Sequence, residues 1–133
     1  MFFSLPSVSD ATDTPVAPRT PDVRFRLRVR QGEHIAIGPG KVALLEAIQE
    51  HGSISAAARS LGMSYRRAWL LIDELNHALA SPATSSEQGG QRGGGSALTP
   101  VGEALIRLYR SIEQEAHRAC ADRIDALTAL LKP

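Results

Sequence analysis

The chain has 133 residues, 43% of them hydrophobic but only 5% aromatic, and a formal net charge of +1. That length suits one domain with a real core, filled mainly by Ala, Leu, Ile and Val. The charge is too small for a uniformly basic nucleic-acid coat, so any such role must rest on where the arginines sit. A single cysteine, Cys120, excludes an internal disulfide framework and a cysteine-based zinc site. The start, Met-Phe-Phe-Ser-Leu-Pro, lacks a basic stretch and is too short for a signal peptide. No run reaches membrane-spanning length, so a cytoplasmic location is expected.

Residues 1–21 carry Pro6, Pro15, Pro18 and Pro21 with little apolar content after Leu5. Such a segment cannot bury enough surface to offset its ordering entropy, and it reads as a disordered arm. Strict alternation follows. Val23, Phe25, Leu27 and Val29 fall on one face of a strand, and Arg24, Arg26, Arg28 and Arg30 on the other. Gln31-Gly32-Glu33 reads as a turn and His34–Ile37 as the return strand of a hairpin. The arginine stripe is either a solvated strand face or a surface for phosphate or a partner.

Lys41–His51 has Leu44, Leu45 and Ile48 at helical spacing, with Gly52 placed as a C-terminal cap. Ser53 or Ser55 caps a short second helix whose inner side is Ala57, Ala58 and Leu61. Gly62 supplies a tight turn. Ser64 then caps a helix predicted from Tyr65 to about Ala80, with Ala68, Ile72, Leu75 and Leu79 in one arc and Leu71 beside them. Arg66, Leu70 and Asp73 fall opposite, and Tyr65, Arg67 and Trp69 on the flanks. Two short helices joined this way form a helix-turn-helix, whose second helix enters the major groove of DNA.

Residues 81–98 are low in complexity and rich in glycine. They fit a bare linker or a β-hairpin wing, and their place straight after the recognition helix selects the wing, with Arg92 at its tip. Thr99-Pro100 is a strong helix start. Val101, Leu105, Leu108, Ile112, Ala116 and Ala119 follow three-four spacing, which slips before Ile124, Leu127 and Leu131. A helix over 99–131 is predicted, about 45 Å long. That exceeds what so small a domain covers. Its surplus apolar stripe (Val101, Leu105, Leu108 and Ile112) points to a homodimer.

Gly38-Pro39-Gly40-Lys41, Gly52-Ser53-Ile54-Ser55-Ala56-Ala57-Ala58 and Gly62-Met63-Ser64-Tyr65-Arg66-Arg67-Ala68-Trp69 resemble the N-terminal winged-helix domain of ModE, the molybdate-responsive transcription regulator family. The glycine-rich wing, Leu98-Thr99-Pro100-Val101-Gly102 and Tyr109 match as well. The resemblance covers roughly residues 23–115. Its Ser-Ala-Ala-Ala element is shared with LysR-type regulators, and Met-Ser-Tyr-Arg-Arg-Ala-Trp narrows it. The expected fold is mainly α with a small β component: a winged helix-turn-helix over 22–133 with an N-terminal β-hairpin, a wing and a long dimerisation helix.

The resemblance implies a homodimer joined through the first and last helices and the N-terminal strands, reading a palindromic operator in double-stranded DNA. Full-length members carry C-terminal oligobindin-type domains for molybdate or tungstate. With the chain ending at Pro133, no such domain and no cofactor are expected.

Arg66 and Arg67 are the candidates for guanine or phosphate contacts, because the guanidinium fork matches guanine O6 and N7. Ser64 is read as a helix cap, either alone or with a compatible phosphate contact, and Tyr65 as a phosphate donor, a thymine-methyl contact or a packing residue. Trp69 is read as core or as a brace on the phosphate side in preference to a base reader. Arg59 and Arg92 are phosphate candidates. His34, His51, His77 and His117 lack metal-ligand spacing, and no carboxylate pair or phosphate-binding loop is present, so neither a metal nor an enzyme activity is expected. A protein-interaction module that leaves DNA untouched is the alternative reading.

Overall fold

The computed structural model describes residues 20–87 and 95–133. Phe25–Cys120 forms one compact unit, and the remaining described residues, 20–24 and 121–133, group apart from it.

The first unit opens with an extended segment and a hairpin, β1 (Val29–Gln31) and β2 (His34–Ile37). The strands pair antiparallel, Arg30 with Ile35 and Gln31 with His34, and Gly32 turns the chain at φ 63°. The predicted strand from Val23 is corrected here: ladder pairing begins only at Val29. The alternation is nonetheless real as burial. Val23, Phe25 and Leu27 are half-buried, while Arg24, Arg26 and Arg28 are exposed. Period two marks two faces and does not require a partner strand. The Leu27 carbonyl instead accepts the Tyr109 hydroxyl at 2.7 Å, and the Phe25 ring meets His117 edge-on at 4.7 Å. A register irregularity between Val29 and Arg30 ends the alternation, leaving Val29 exposed rather than inward.

Helix α1 (Pro39–His51) starts with proline at its first position and stops at Gly52, whose φ of 81° is left-handed and whose N–H reaches the Ile48 carbonyl at 2.8 Å. Helix α2 (Ile54–Ser60) is capped by Ser53, which accepts the Ala56 N–H at 3.0 Å. Gly62, at φ 69°, turns the chain into α3 (Tyr65–Ala78). Ala57, Ala58 and Ala68 are fully or almost fully buried, and such small side chains allow the helices to approach closely. Val42, Leu44, Leu45, Ile48, Ile72 and Leu75 complete the centre. Lys41 is also buried; its ammonium donates to the Ile35 carbonyl at 2.7 Å and lies 3.4 Å from Glu74.

Strands β3 (Thr84–Glu87) and β4 (Gly95–Leu98) follow, antiparallel, with Thr84 opposite Leu98 and Glu87 opposite Gly95. They fall inside the wing expected over 81–98. Helix α4 (Pro100–Ala119) is capped by Thr99, which accepts the Gly102 N–H at 3.1 Å.

The continuous helix over 99–131 is a second correction. Helix α4 ends at Ala119 with Cys120 as its C-cap, and a separate helix, α5 (Ala121–Thr128), begins at Ala121. The break falls where the apolar spacing slips before Ile124. At 20 residues, α4 is about 30 Å long rather than 45. No α5 residue is buried, and Leu127, Leu130 and Leu131 lie open.

Candidate nucleic-acid interface

The start of α3 is where cationic and aromatic side chains collect. The Ser64 hydroxyl accepts the Arg67 N–H at 3.1 Å, which fixes the first turn. Ala68, Ile72 and Leu75 hold the inner face of the helix in the core. Tyr65, Arg66, Arg67, Trp69 and Leu70 are thereby left in solvent. Tyr65 and Trp69, one turn apart, share a face. Trp69 is 45% exposed and stands outside the core, which corrects its reading as a core residue.

The first turn of α3 has no acidic residue. Among the described residues, Arg59, Arg66 and Arg67 make no ion pair. Two guanidiniums at a helix N-terminus oppose the macrodipole, at about 0.3–1 kcal/mol each. Among the described residues no ion pair offsets this, and a DNA phosphate would. Arg59 is different: it sits in the last turn of α2, where the dipole favours a cation. Arg92 lies outside the described residues.

The wing is rooted at the C-terminal end of α3 by bonds that sequence reading did not anticipate. Asn76, in the last turn of α3, accepts the Ala83 N–H at 2.8 Å and donates to the Thr84 hydroxyl at 3.1 Å. The Ala83 carbonyl accepts the Thr99 N–H at 2.9 Å, and the Thr99 hydroxyl donates to the Pro82 carbonyl at 2.7 Å. Gly102 packs so closely that a Cβ there would stand 2.2 Å from the Ala83 oxygen. On the other strand, the Ser96 N–H reaches the Gly52 carbonyl at 3.0 Å. An asparagine in the last turn of a helix, and a glycine three residues after a capping threonine, were the available signals.

The four expected dimer residues separate. Leu105 is buried in the core of its own unit, which corrects its assignment to a surface stripe. Val101, Leu108 and Ile112 are exposed, the last two by 62% and 52%. Helix α4 is held to α1 by Arg110, whose guanidinium grips both Glu46 oxygens at 2.9 and 2.6 Å and Glu113 at 2.7 Å. Those hydrogen bonds, Glu46 foremost, raise its pKa above the ordinary arginine range.

This geometry defines a winged helix-turn-helix, and residues 40–103 match the family described as "Bacterial regulatory helix-turn-helix protein, lysR family". Within that class the chain is similar to ModE-type proteins. It is 51% identical over 77 residues to the molybdenum-pterin-binding protein MopB of Rhodobacter capsulatus, covering 58% of this chain and 28% of that protein. It is 37% identical over 97 residues to the DNA-binding transcriptional dual regulator ModE of Escherichia coli (strain K12), covering 70% and 36%. The chain thus spans about a third of the length of these curated relatives. The fold is similar to that in "Crystal structure of CbnR_DBD-DNA complex", with a TM-score of 0.52 and 25% identity over 67% of this chain and 95% of that one. Among the described residues, no helix is long and apolar enough to cross a membrane.

Proposed function

We propose that this chain is a sequence-specific DNA-binding transcription regulator that acts as a homodimer on a palindromic operator. The observation that carries the reading is the start of α3. Arg66 and Arg67 stand in solvent without an ion-pair partner among the described residues, against the helix dipole, beside exposed Tyr65 and Trp69. In this reading Arg66 and Arg67 meet guanine edges or phosphate, and Tyr65 and Ser64 meet the backbone. Trp69 braces that contact, while Arg59 and Arg92 add phosphate contacts. The relatives support it: the Escherichia coli protein is described as a DNA-binding transcriptional regulator, and the CbnR domain was crystallised with DNA.

Val101, Leu108 and Ile112 fit the dimer, because an exposed apolar stripe along α4 is buried most simply against a second copy. Genomic fragments captured on the purified chain should share a palindromic sequence. A dimer neutralising about eight phosphates should show a slope near −7 in log K against log salt. Arg66→Ala with Arg67→Ala should abolish selective binding; unchanged duplex binding would refute the groove contact. Sedimentation showing only a 14.3 kDa species at micromolar concentration would remove the dimer.

A further inference from the structure

We propose that Asn76 is a positioning residue that aims the wing, so that the wing and the start of α3 address the same duplex. The inference rests on the DNA-binding reading above. Asparagine is a poor helix former, because its amide competes for nearby backbone groups. At this position the amide serves a different element. Its oxygen takes the N–H of fully buried Ala83, and its nitrogen binds the hydroxyl of Thr84, the first residue of β3.

The two strands of the wing are anchored to different partners. Strand β4 is tied to the corner between α1 and α2 through Ser96 and Gly52, and its far end leads into the Thr99 cap of α4. Strand β3 is tied to the recognition helix through Asn76. Asn76 follows Tyr65 by 11 residues on one rigid helix, so a bond at Asn76 sets a direction relative to the residues about 16 Å away that meet DNA.

The lever is long enough for this to matter. Four strand residues extend about 13 Å. A pivot of about 20° at the root therefore displaces the far end by about 4–5 Å, well beyond the window of a hydrogen bond to phosphate. Without Asn76, the β4 anchors and the Thr99–Ala83 bond still hold the hairpin to the domain. Its attachment survives and its aim does not.

The probe is a duplex recovered from random-sequence DNA by selection on the wild-type chain. Two variants are compared. Asn76→Ala removes both bonds, while Thr84→Val keeps the Ala83 N–H bond and the side-chain shape. Both should weaken binding about tenfold and flatten the salt slope by about 1–2 units, the value of one or two phosphates. The bases preferred by wild type should still be preferred.

The effect must also vanish when the wing is short. Glu87 and Gly95 are register partners, so residues 88–94 can be replaced by Asn-Gly, a two-residue hairpin turn. In that background neither substitution should change affinity or slope further. An unchanged slope in both variants, or an undiminished effect in the short-wing background, overturns the inference while leaving DNA binding intact. A wild-type chain that recovers no duplex overturns both.

Discussion

Gly102→Ala tests the wing root by a change of sign. In most helices, replacing glycine with alanine is stabilising, by about 1 kcal/mol from propensity. At Gly102 the new methyl would stand 2.2 Å from the Ala83 carbonyl oxygen, about 1 Å inside ordinary contact. That oxygen cannot retreat freely, because it accepts the Thr99 N–H and Ala83 is fully buried. Overpacking of this kind costs about 1–3 kcal/mol. Strain on the Thr99 bond adds to it, so the balance is a net loss of about 1–2 kcal/mol after the propensity gain. For a unit of this size that lowers Tm by about 4–15 °C.

Thermal melts followed by circular dichroism provide the reading, with Gly40→Ala as the control. Gly40 lies in the first turn of α1, where a Cβ meets nothing within 4 Å, so its variant should melt at or slightly above wild type. A Gly102→Ala chain that melts as high as wild type would refute the packing argument.

Tyr109→Phe should cost about 1–3 kcal/mol in denaturant titrations, because it strands the Leu27 carbonyl. Burial, with the Glu113 charge adding to it, pushes the Tyr109 phenol above the ordinary range. The unfolded chain therefore gives up this proton first. The contribution is whole below about pH 10 and lost as pH climbs through the folded-state value. The Phe variant should show a shallower loss of stability above pH 10, and an identical alkaline profile would count against the assignment. Leu105→Ala should destabilise the fold by about 2–5 kcal/mol, as for a core residue. Leu108→Ala should change stability of the isolated chain by less than about 0.5 kcal/mol, yet weaken self-association in sedimentation; the reverse order would invert the assignment of the two faces of α4. Ser64→Ala should cost about 0.5–2 kcal/mol by loss of the cap, read as a lower midpoint in urea.

The helix-turn-helix was legible because each boundary is set by a local rule. Gly52 and Gly62 adopt left-handed conformations that other side chains rarely do, and Ser53 and Ser64 supply oxygens that orphan N–H groups require. Periodicity alone was less discriminating. It placed Leu105 and Leu108 on one stripe, but whether a residue faces its own core or the outside depends on where α1 lies against α4. Alternation from Val23 correctly separated two faces, yet its ladder depends on partners distant in sequence, and the Tyr109 hydroxyl took the Leu27 carbonyl instead. Asn76 was missed for the same reason: its partners, Ala83 and Thr84, lie beyond the end of its helix and on a strand whose course no local pattern specifies.

The bond from Ser96 to Gly52 has a consequence for how such wings diversify. It lies, with the Asn76 and Thr99 contacts, entirely outside the stretch between Glu87 and Gly95. Insertions or deletions within that stretch leave every one of these anchors in place, and doubling a loop costs only about 0.6 kcal/mol in closure entropy. The length of the wing can then be varied alone, without renegotiating the helices that hold it.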